Sequence, residues 1–465
     1  MINYKELMEN YIDKNRDNIV SDLMELIKIP SVSTDRKECE RVLDYVSKLY
    51  IKNGFKVEFN KENPYALAYY GEGEKSIGLF AHADVVDKGD KWVLTDAFNP
   101  IIKDGAIVGR GAQDDKSAVV LSLYLLKAIK ELNIPINHKI ICFTGANEEN
   151  GMSDIPKYLK TNTPPDFSLV LDAAFPIYIG DKGSFWFKAK LNKSFEQIID
   201  FSGGKSINII LGSAKATVKY SSKLCSQLAL LDDITVSSDN DIITVSAKGI
   251  SSHGSTPQGS KNAGLIIANA LLKCTELCKN DREILNGIKL LLENNYGEQF
   301  NLENDDPQFG KLTVTNGIIE VKNQRAIIYF DLRYGKSIGS KEIKSKIIDT
   351  LSRINMDFEL ISNDEPYLTD INNPYVQALL KSYQKHTGDY DREPKINTGG
   401  TYGRRLPCAA ELGTSYPYSF VLKDLPSGHG SCHQPDEHMG IDELIKGIKL
   451  VGVMLLDADK EVYGD

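Results

Sequence analysis

Three apolar runs in the first part of the chain, at residues 76–83, 140–144 and 167–171, each contain or precede acidic or imidazole side chains. The residues that close or follow these runs are His82 and Asp84, then Glu148 and Glu149, then Asp172. In open α/β sheets, ligands gather just beyond the carboxyl ends of the strands, so side chains at successive strand ends point into one crevice. The sequence therefore predicts an α/β sheet with its chemical centre along that edge.

The length and patterning of the chain predict two domains, one of them inserted in the other. At 465 residues the chain is too long for one ordinary core. Residues 1–183 alternate helical and strand patterns, beginning with a helix over about 3–28, as a three-layer α/β domain does. Residues 184–372 read as a separate α+β domain that includes a helix over 263–279. Residues 373–465 carry another dense polar cluster and are predicted to complete the first domain.

Charge and composition narrow the possible partners. The formal net charge of −9 disfavours binding to nucleic-acid phosphates and to anionic membranes. The longest apolar stretch, residues 118–129, is too short to span a bilayer, and the N-terminus has no apolar signal core. Seven scattered cysteines indicate reduced thiols rather than a disulfide scaffold. We therefore expect a cytoplasmic protein that acts on a small molecule or a peptide.

The charged clusters together indicate a metal site. Besides the strand-end groups, the string VGRGAQDDKS places Asp114 next to Asp115, and SGHGSCHQPDEH contains His433. Adjacent carboxylates in one crevice repel each other, and divalent cations relieve that repulsion. Each cluster taken alone is more often a solvated turn or a helix cap. Five clusters at strand ends or turns make that interpretation much weaker, and mixed imidazole and carboxylate ligands suit zinc, manganese or cobalt.

The ordered set of motifs resembles a known superfamily of co-catalytic metallopeptidases. FAHADVVD, QDDKS, GANEENG, LDAAFP and HQPDEH follow the order found in aminoacylases, glutamate carboxypeptidases, succinyl-diaminopimelate desuccinylases and bacterial dipeptidases. Within that group the chain looks most like the PepV-type dipeptidases, over nearly its whole length. The resemblance implies a zinc-peptidase-like catalytic domain with an inserted lid domain. It also implies two divalent metal ions, zinc or manganese.

The resemblance implies a role for each residue of the cluster. His82 and Asp172 would hold one metal, Glu149 and His433 the other, and Asp114 would bridge both. Glu148 would be the general base that moves a proton from a metal-activated water to the leaving amine. Asp84 would hydrogen-bond His82 and fix its tautomer. A cis peptide between Asp114 and Asp115 is also implied.

A second set of residues would contact the substrate. In AKGISSHGSTPQG, which resembles the lid signature of the family, His253 would stabilise the oxyanion of the tetrahedral intermediate. Asn208 and Arg333 come from the same inserted domain, and a planar guanidinium suits the carboxylate of a short peptide. Gly399, Gly400 and Thr401 in GGTYGRR resemble a backbone loop that lies along the bound peptide.

Some residues of these strings depart from the pattern or fall outside it. His429 and His438 are interpreted as bystanders, because the HQPDE pattern points to His433. Ala174 stands where PepV-like chains often carry an acidic residue, which bears on recognition of a substrate amino group. Ser117 stands where glycine is frequent, and Arg405 has no assigned role.

The sequence therefore favours a metal-dependent dipeptidase that hydrolyses the peptide bond of short peptides. The alternative in the same mechanistic class is a deacylase or desuccinylase acting on N-acylated amino acids. A non-catalytic binding protein on the same scaffold is a third reading, disfavoured because the ligand and base positions are intact. No Walker, Rossmann or serine-hydrolase motif occurs. Because the inserted domain is long enough to supply the lid histidine within one chain, we predict a monomer.

Overall fold

The computed structural model describes residues 3–463 and divides the chain into two compact units. One unit comprises Met1–Asp181 with Leu368–Asp465, and the other comprises Lys182–Tyr367. The boundaries predicted from the sequence fall after residues 183 and 372. The predicted class, an α/β domain interrupted by an inserted α+β domain, is confirmed.

The first stretch of the first unit alternates helices with short strands. In chain order its elements are α1 (Tyr4–Lys14), α2 (Arg16–Ile27), α3 (Arg36–Lys52), β1 (Lys56–Phe59), β2 (Tyr65–Tyr70), β3 (Ser76–His82), β4 (Ile101–Lys103), β5 (Ala106–Val108), α4 (Lys116–Glu131), β6 (Lys139–Gly145), α5 (Asp154–Thr161), β7 (Phe167–Val170) and β8 (Tyr178–Asp181). The single predicted helix over residues 3–28 is wrong in one respect, because it is interrupted at Asn15. The backbone N–H of Asn15 caps α1 by donating to carbonyls of its last turn.

The inserted unit is built from antiparallel strands and four helices. Its elements are β9 (Gly183–Leu191), β10 (Ile198–Gly203), β11 (Ser213–Lys219), α6 (Ser222–Leu228), β12 (Thr235–Asp239), β13 (Ile242–Lys248), α7 (Ala263–Lys273), α8 (Lys279–Leu292), β14 (Asp305–Asp306), β15 (Gly310–Lys311), β16 (Thr313–Lys322), β17 (Arg325–Tyr334), α9 (Ser340–Arg353) and β18 (Met356–Asp364). Eight strands form one sheet in the order β12-β13-β11-β10-β16-β17-β9-β18. Phe185 and Phe187 of β9 face the buried core, whereas the alternate residues Trp186 and Lys188 are partly exposed, as period-two alternation requires.

One helix predicted in this unit is too long. The helix expected over residues 263–279 ends at Lys273, and Cys274 has an extended backbone. A second helix, α8, starts at Lys279, and the Cys278 sulfur accepts the N–H of Asp281 at its N-terminus. The two cysteines therefore cap two different helices.

The last stretch of the chain completes the first unit. Its elements are β19 (Tyr367–Leu368), α10 (Pro374–Thr387), β20 (Lys395–Asn397), β21 (Ala409–Glu411), β22 (His438–Gly440) and α11 (Ile441–Tyr463). The main sheet runs β1-β2-β6-β3-β7-β21-β8-β19, with β20 paired to β8. Within residues 3–463 no helix has the length and apolar character that crossing a membrane requires.

Candidate metal centre

Three parallel strands bring the strand-end residues together. β3 pairs in parallel with β6 and β7, and the register sets His82 beside Gly145 and Phe80 beside Val170. All three strands therefore end at the same edge of the sheet. The residues that follow β6 and β7 line one cavity of about 390 Å³, together with Asp114, Asp115 and His433. His82, at the end of β3, contacts Asp114 and Asp172 of this lining. The crevice predicted from the sequence is the place where these residues meet.

The first ligand group consists of His82, Asp114 and Asp172. The Nε2 atom of His82 lies 3.0 Å from Oδ1 of Asp114 and 3.7 Å from Oδ2 of Asp172. One ligand atom from each residue falls within 4.8 Å of the others, which is compact enough for one ion. His82 is fully buried at the end of β3.

The second ligand group consists of Asp114, Glu149 and His433. The Nε2 atom of His433 lies 3.1 Å from Oδ2 of Asp114 and 3.1 Å from Oε1 of Glu149. These ligand atoms also fall within 4.8 Å of one another. Asp114 thus presents Oδ1 to one histidine and Oδ2 to the other, so it belongs to both groups. Its peptide bond to Asp115 is cis, as the resemblance implies.

His433 reaches the site from the far end of the chain with an unusual backbone conformation. Its φ of +63° lies in the left-handed region, which non-glycine residues rarely occupy. The loop that carries it is not helical, in agreement with the glycines and the proline around it. Strained backbone conformations of this kind concentrate at functional sites.

The hydrogen bonding of His82 tests whether a cation fits. Its Nδ1 lies 2.9 Å from the carbonyl oxygen of Asp84, which can only accept, so Nδ1 carries a proton. The buried Nε2 atom has no aligned hydrogen bond, although Asp114 is close. In its neutral form this tautomer would direct the Nε2 lone pair at carboxylate oxygens, which is unfavourable without a positive charge between them. Either a proton on Nε2 or a divalent ion supplies that charge, and an ion that replaces the proton would be bound by the lone pair and the carboxylates together.

The titration behaviour of the cluster points in the same direction. Burial lowers the pKa of His82, but the nearby carboxylates of Asp114, Asp172 and Asp84 outweigh it and hold the pKa well above its usual value. Burial, reinforced by the charge of Asp114, raises the pKa of Asp172 to about 6 and of Glu149 to about 7. Burial also raises the pKa of Glu148 well above its usual range. The cavity concentrates more negative charge than its surroundings offset, and this is the electrostatic condition that bound cations relieve.

Glu148 lies in the cavity without belonging to either ligand group. Its side chain is buried, and its Oε1 atom has no hydrogen-bond partner among the described residues. The adjacent Glu149 is a member of the second ligand group, so the two neighbouring glutamates occupy different chemical positions. An unpartnered carboxylate oxygen beside two ligand groups is suitably placed to exchange a proton with a bound molecule.

The contacts of the Asp84 carboxylate differ in part from the predicted hydrogen bond to His82. Its carboxylate Oδ1 lies 3.5 Å from Nδ1 of His82, farther than its own backbone carbonyl oxygen. The carboxylate instead accepts the backbone N–H groups of Glu148 and Glu149, each at 3.2 Å, and the hydroxyl of Ser33. Asp84 therefore fixes the turn that carries both glutamates as well as the ring of His82.

The loop of Gly399, Gly400 and Thr401 lines the same cavity as the ligand groups. The Thr401 hydroxyl donates to Glu411 at 2.8 Å, and its backbone N–H donates to Asp181 at 3.0 Å. Arg404 supports the loop from behind. Its Nη2 donates to the carbonyl of Gly399 at 2.7 Å and its Nε contacts Asp181, which keeps the loop's cavity-lining backbone in place.

The structure shows where the residues that depart from the family pattern or fall outside it lie. Ala174 lines the cavity, so its small side chain leaves room there. Ser117 is buried, and its hydroxyl lies 3.0 Å from that of Thr414. His429 contacts Asp436 at 2.6 Å, and His438 accepts the N–H of Leu422. Neither histidine is a member of the two ligand groups, which agrees with their interpretation as bystanders.

Asn208, His253 and Arg333 all lie in the inserted unit. The N–H of Gly254 donates to the carbonyl of Asn208 at 2.8 Å, which joins the segments carrying Asn208 and His253. Ring atom Nδ1 of His253 lies 2.6 Å from the Ser255 hydroxyl. The Nε atom of Arg333 donates to the buried carboxylate of Asp331 at 2.8 Å. Their predicted roles toward a substrate stay predictions.

Several residues of the site were not singled out by the sequence analysis. Glu437 and Arg110 form a fully buried ion pair of 2.7 Å behind Asp114, and Glu411 and Asp181 anchor the Thr401 loop. Glu437 lies in the motif HQPDEH, four residues after His433, and Arg110 lies in VGRGAQDDKS, four residues before Asp114. Their closeness in sequence to predicted metal ligands was the one feature that could have pointed to them. Only the three-dimensional pairing distinguishes such charged residues from solvated ones.

Comparison with known proteins identifies the family. The family model described as peptidase family M20/M25/M40 matches residues 78–457. A candidate dipeptidase from Staphylococcus haemolyticus is 26% identical over 475 residues, covering 96% of this chain and 97% of the relative.

Solved structures share the fold at low sequence identity. Human carnosine dipeptidase 1 matches with a TM-score of 0.61 and 16% identity, covering 99% of both chains. A metallo-carboxypeptidase from Sulfolobus solfataricus matches with a TM-score of 0.58 and 17% identity, covering 95% of this chain and 99% of that one. The two neighbours are named for different activities, so the fold alone does not select a substrate.

Proposed function

The chain belongs to peptidase family M20/M25/M40, a family of metallopeptidases, and from this premise we propose that it is a metal-dependent dipeptidase. The observation that carries the proposal is the position of Asp114, whose two carboxylate oxygens face two separate ligand groups beside the unpartnered Glu148. The dipeptidase names of the staphylococcal relative and of the human neighbour support the substrate class.

The two ligand groups would hold two divalent ions, zinc or manganese. His82 and Asp172 would serve one ion, Glu149 and His433 the other, and Asp114 both. Nitrogen and oxygen ligands of this kind suit either metal. When bound, such ions polarise the scissile carbonyl and lower the pKa of a water molecule.

Glu148 would carry the proton in the reaction. Its buried carboxylate would accept a proton from the attacking water and then deliver it to the nitrogen of the leaving amine. Asp84 would hold Glu148 in position through the backbone N–H bonds described above. The loop of Gly399 to Thr401 would offer backbone groups to the bound peptide, since it lines the cavity from one side.

The inserted unit would contribute substrate contacts. We propose that His253 stabilises the oxyanion of the tetrahedral intermediate and that Arg333 binds the carboxylate of the substrate. Asn208 would support the same site, since it is hydrogen-bonded to the residue after His253. A monomeric state and a cytoplasmic location stay predictions from the sequence.

One observation favours a second candidate function. Ala174 lines the cavity at the position where PepV-like sequences often carry an acid that could meet a substrate's amino group. A deacylase or desuccinylase, whose substrates have an acylated amine, does not need that acid. The second candidate is therefore an amidohydrolase acting on N-acylated amino acids.

A substrate panel separates the two functions. Metal-loaded protein is offered unblocked dipeptides and the corresponding N-acetyl and N-succinyl amino acids, and kcat/KM is measured for each. We expect kcat/KM for the dipeptides to exceed that for the acylated compounds by about tenfold or more. A Glu148→Gln preparation made in parallel reports contaminating peptidase. Hydrolysis of the acylated set alone would overturn the dipeptidase proposal.

A further inference from the structure

A single buried carboxylate supports the turn that carries the shared ligand Asp114. Oε1 of Glu437 accepts the backbone N–H groups of Gly111, Gln113 and Asp114, at 3.1, 2.9 and 3.2 Å. Its other oxygen accepts from Nη1 of Arg110 at 2.7 Å. Glu437 has no exposed surface, and Arg110 is 1% exposed. Every oxygen of this carboxylate is therefore used to fix the segment from Arg110 to Asp114.

Strand pairing brings this carboxylate to the turn from the opposite end of the sequence. β22 pairs with β5, with His438 opposite Val108, so the residue before β22 lies beside the residue after β5. The backbone reinforces the contact, since the N–H of Gly109 donates to the carbonyl oxygen of Glu437 at 2.9 Å. The two strands thus lead directly into the two segments that meet at the metal centre.

Glu437 is also tied to the second ligand histidine through the chain. It follows His433 by four residues in the same loop. Nη1 of Arg110 donates both to Glu437 and to the carbonyl of Gln434, the residue after His433. One ion pair therefore joins the Asp114 turn to the His433 loop. These two segments carry Oδ2 of Asp114 and Nε2 of His433, which lie 3.1 Å apart in the second ligand group.

We propose that Glu437 is a positioning residue for the metal centre, setting the separation of Asp114 and His433 through its bonds to the 110–114 turn. This inference rests on the proposed two-metal function. Glu437 is not a member of either ligand group, so its effect passes through the backbone of Asp114, which both groups share. Loss of outer partners of metal ligands costs about 10–100-fold in metal affinity. Because the affected ligand is shared, both ions are expected to bind more weakly.

The test compares metal affinity in two neighbouring isosteric variants. Glu437→Gln keeps the volume, but its NH2 group must face either Arg110 or the three backbone N–H groups. Full-length protein freed of metal is titrated with Mn²⁺, and free Mn²⁺ is followed by electron paramagnetic resonance. We expect the variant to need about 10–100-fold more free Mn²⁺ for half-saturation. Turnover at saturating Mn²⁺ should return towards the wild-type value, since the ligands themselves are intact.

The matched control is Asp436→Asn. Asp436 is equally buried and accepts the N–H groups of Val93 and Leu94 and a contact from His429, but it does not touch the 110–114 turn. We expect it to lower the thermal midpoint of unfolding while leaving Mn²⁺ affinity unchanged.

Three results distinguish the outcomes. Equal Mn²⁺ affinity in wild type and Glu437→Gln overturns the positioning role. If Glu437→Gln does not fold, Glu437→Asp, which keeps the charge but shortens the reach, must show weakened Mn²⁺ binding for the inference to stand. Failure of the wild type to bind two Mn²⁺ ions would instead contradict the proposed function.

Discussion

Exchanging Glu148 for glutamine is expected to lower kcat by about 10²–10⁴-fold while leaving two metal ions bound. The amide has the shape of the carboxylate but cannot accept and return a proton at neutral pH. Glu148 belongs to neither ligand group, and its Oε1 atom has no partner among residues 3–463, so metal binding should not depend on it. The measurement pairs steady-state kinetics with metal content by mass spectrometry on the same preparation.

The adjacent residue provides the contrast for this prediction. Glu149→Gln should lose affinity for the ion of the second group, because Glu149 contacts His433 and shares that group with Asp114. Two neighbouring glutamates would then give opposite results, one losing turnover and the other losing metal. Wild-type turnover in Glu148→Gln, or a loss of metal equal to that of Glu149→Gln, would contradict the assigned base.

Exchanging Asp114 for asparagine is expected to weaken both metal sites and reduce turnover to background. Asparagine has one side-chain oxygen and cannot present an acceptor to His82 and to His433 together. Losing an outer partner of a ligand costs about 10–100-fold in metal affinity, so losing a shared ligand should cost more at each site. Isothermal titration of metal-free protein with Zn²⁺ measures both affinities.

Asp172→Asn is the matched variant, because Asp172 belongs to the first ligand group alone. It should weaken one site and leave the other close to its wild-type affinity. If Asp114→Asn still binds two Zn²⁺ ions with wild-type affinity, or loses only one, Asp114 is not a shared ligand.

The strand-end pattern was the most informative feature of the sequence. The apolar runs predict the bounds of β3, β6 and β7 to within one or two residues. Because neighbouring parallel strands end at the same edge of a sheet, His82, Glu149 and Asp172 are then expected at one edge. These are local signals combined with one general property of sheets. The membership of His433 came only from resemblance to the family, since no local pattern relates it to residues that lie about 260–350 positions earlier in the chain.

The parts that could not be predicted depend on tertiary contacts. Nothing local marks the interruption at Asn15, and the apolar residues on both sides continue a helical pattern into the same core. In the sequence, Glu437 has the pattern of a solvated charge. In the structure, the pairing of β22 with β5 buries it against Arg110. Partners of this kind are selected by three-dimensional proximity, which one sequence does not record.

The central claim is that two cations share Asp114, and anomalous diffraction from crystals grown with Mn²⁺ tests it most directly. The account predicts two anomalous peaks per chain. One should be bounded by His82, Asp114 and Asp172, and the other by Asp114, Glu149 and His433. A single peak, or peaks that do not share Asp114, would contradict it.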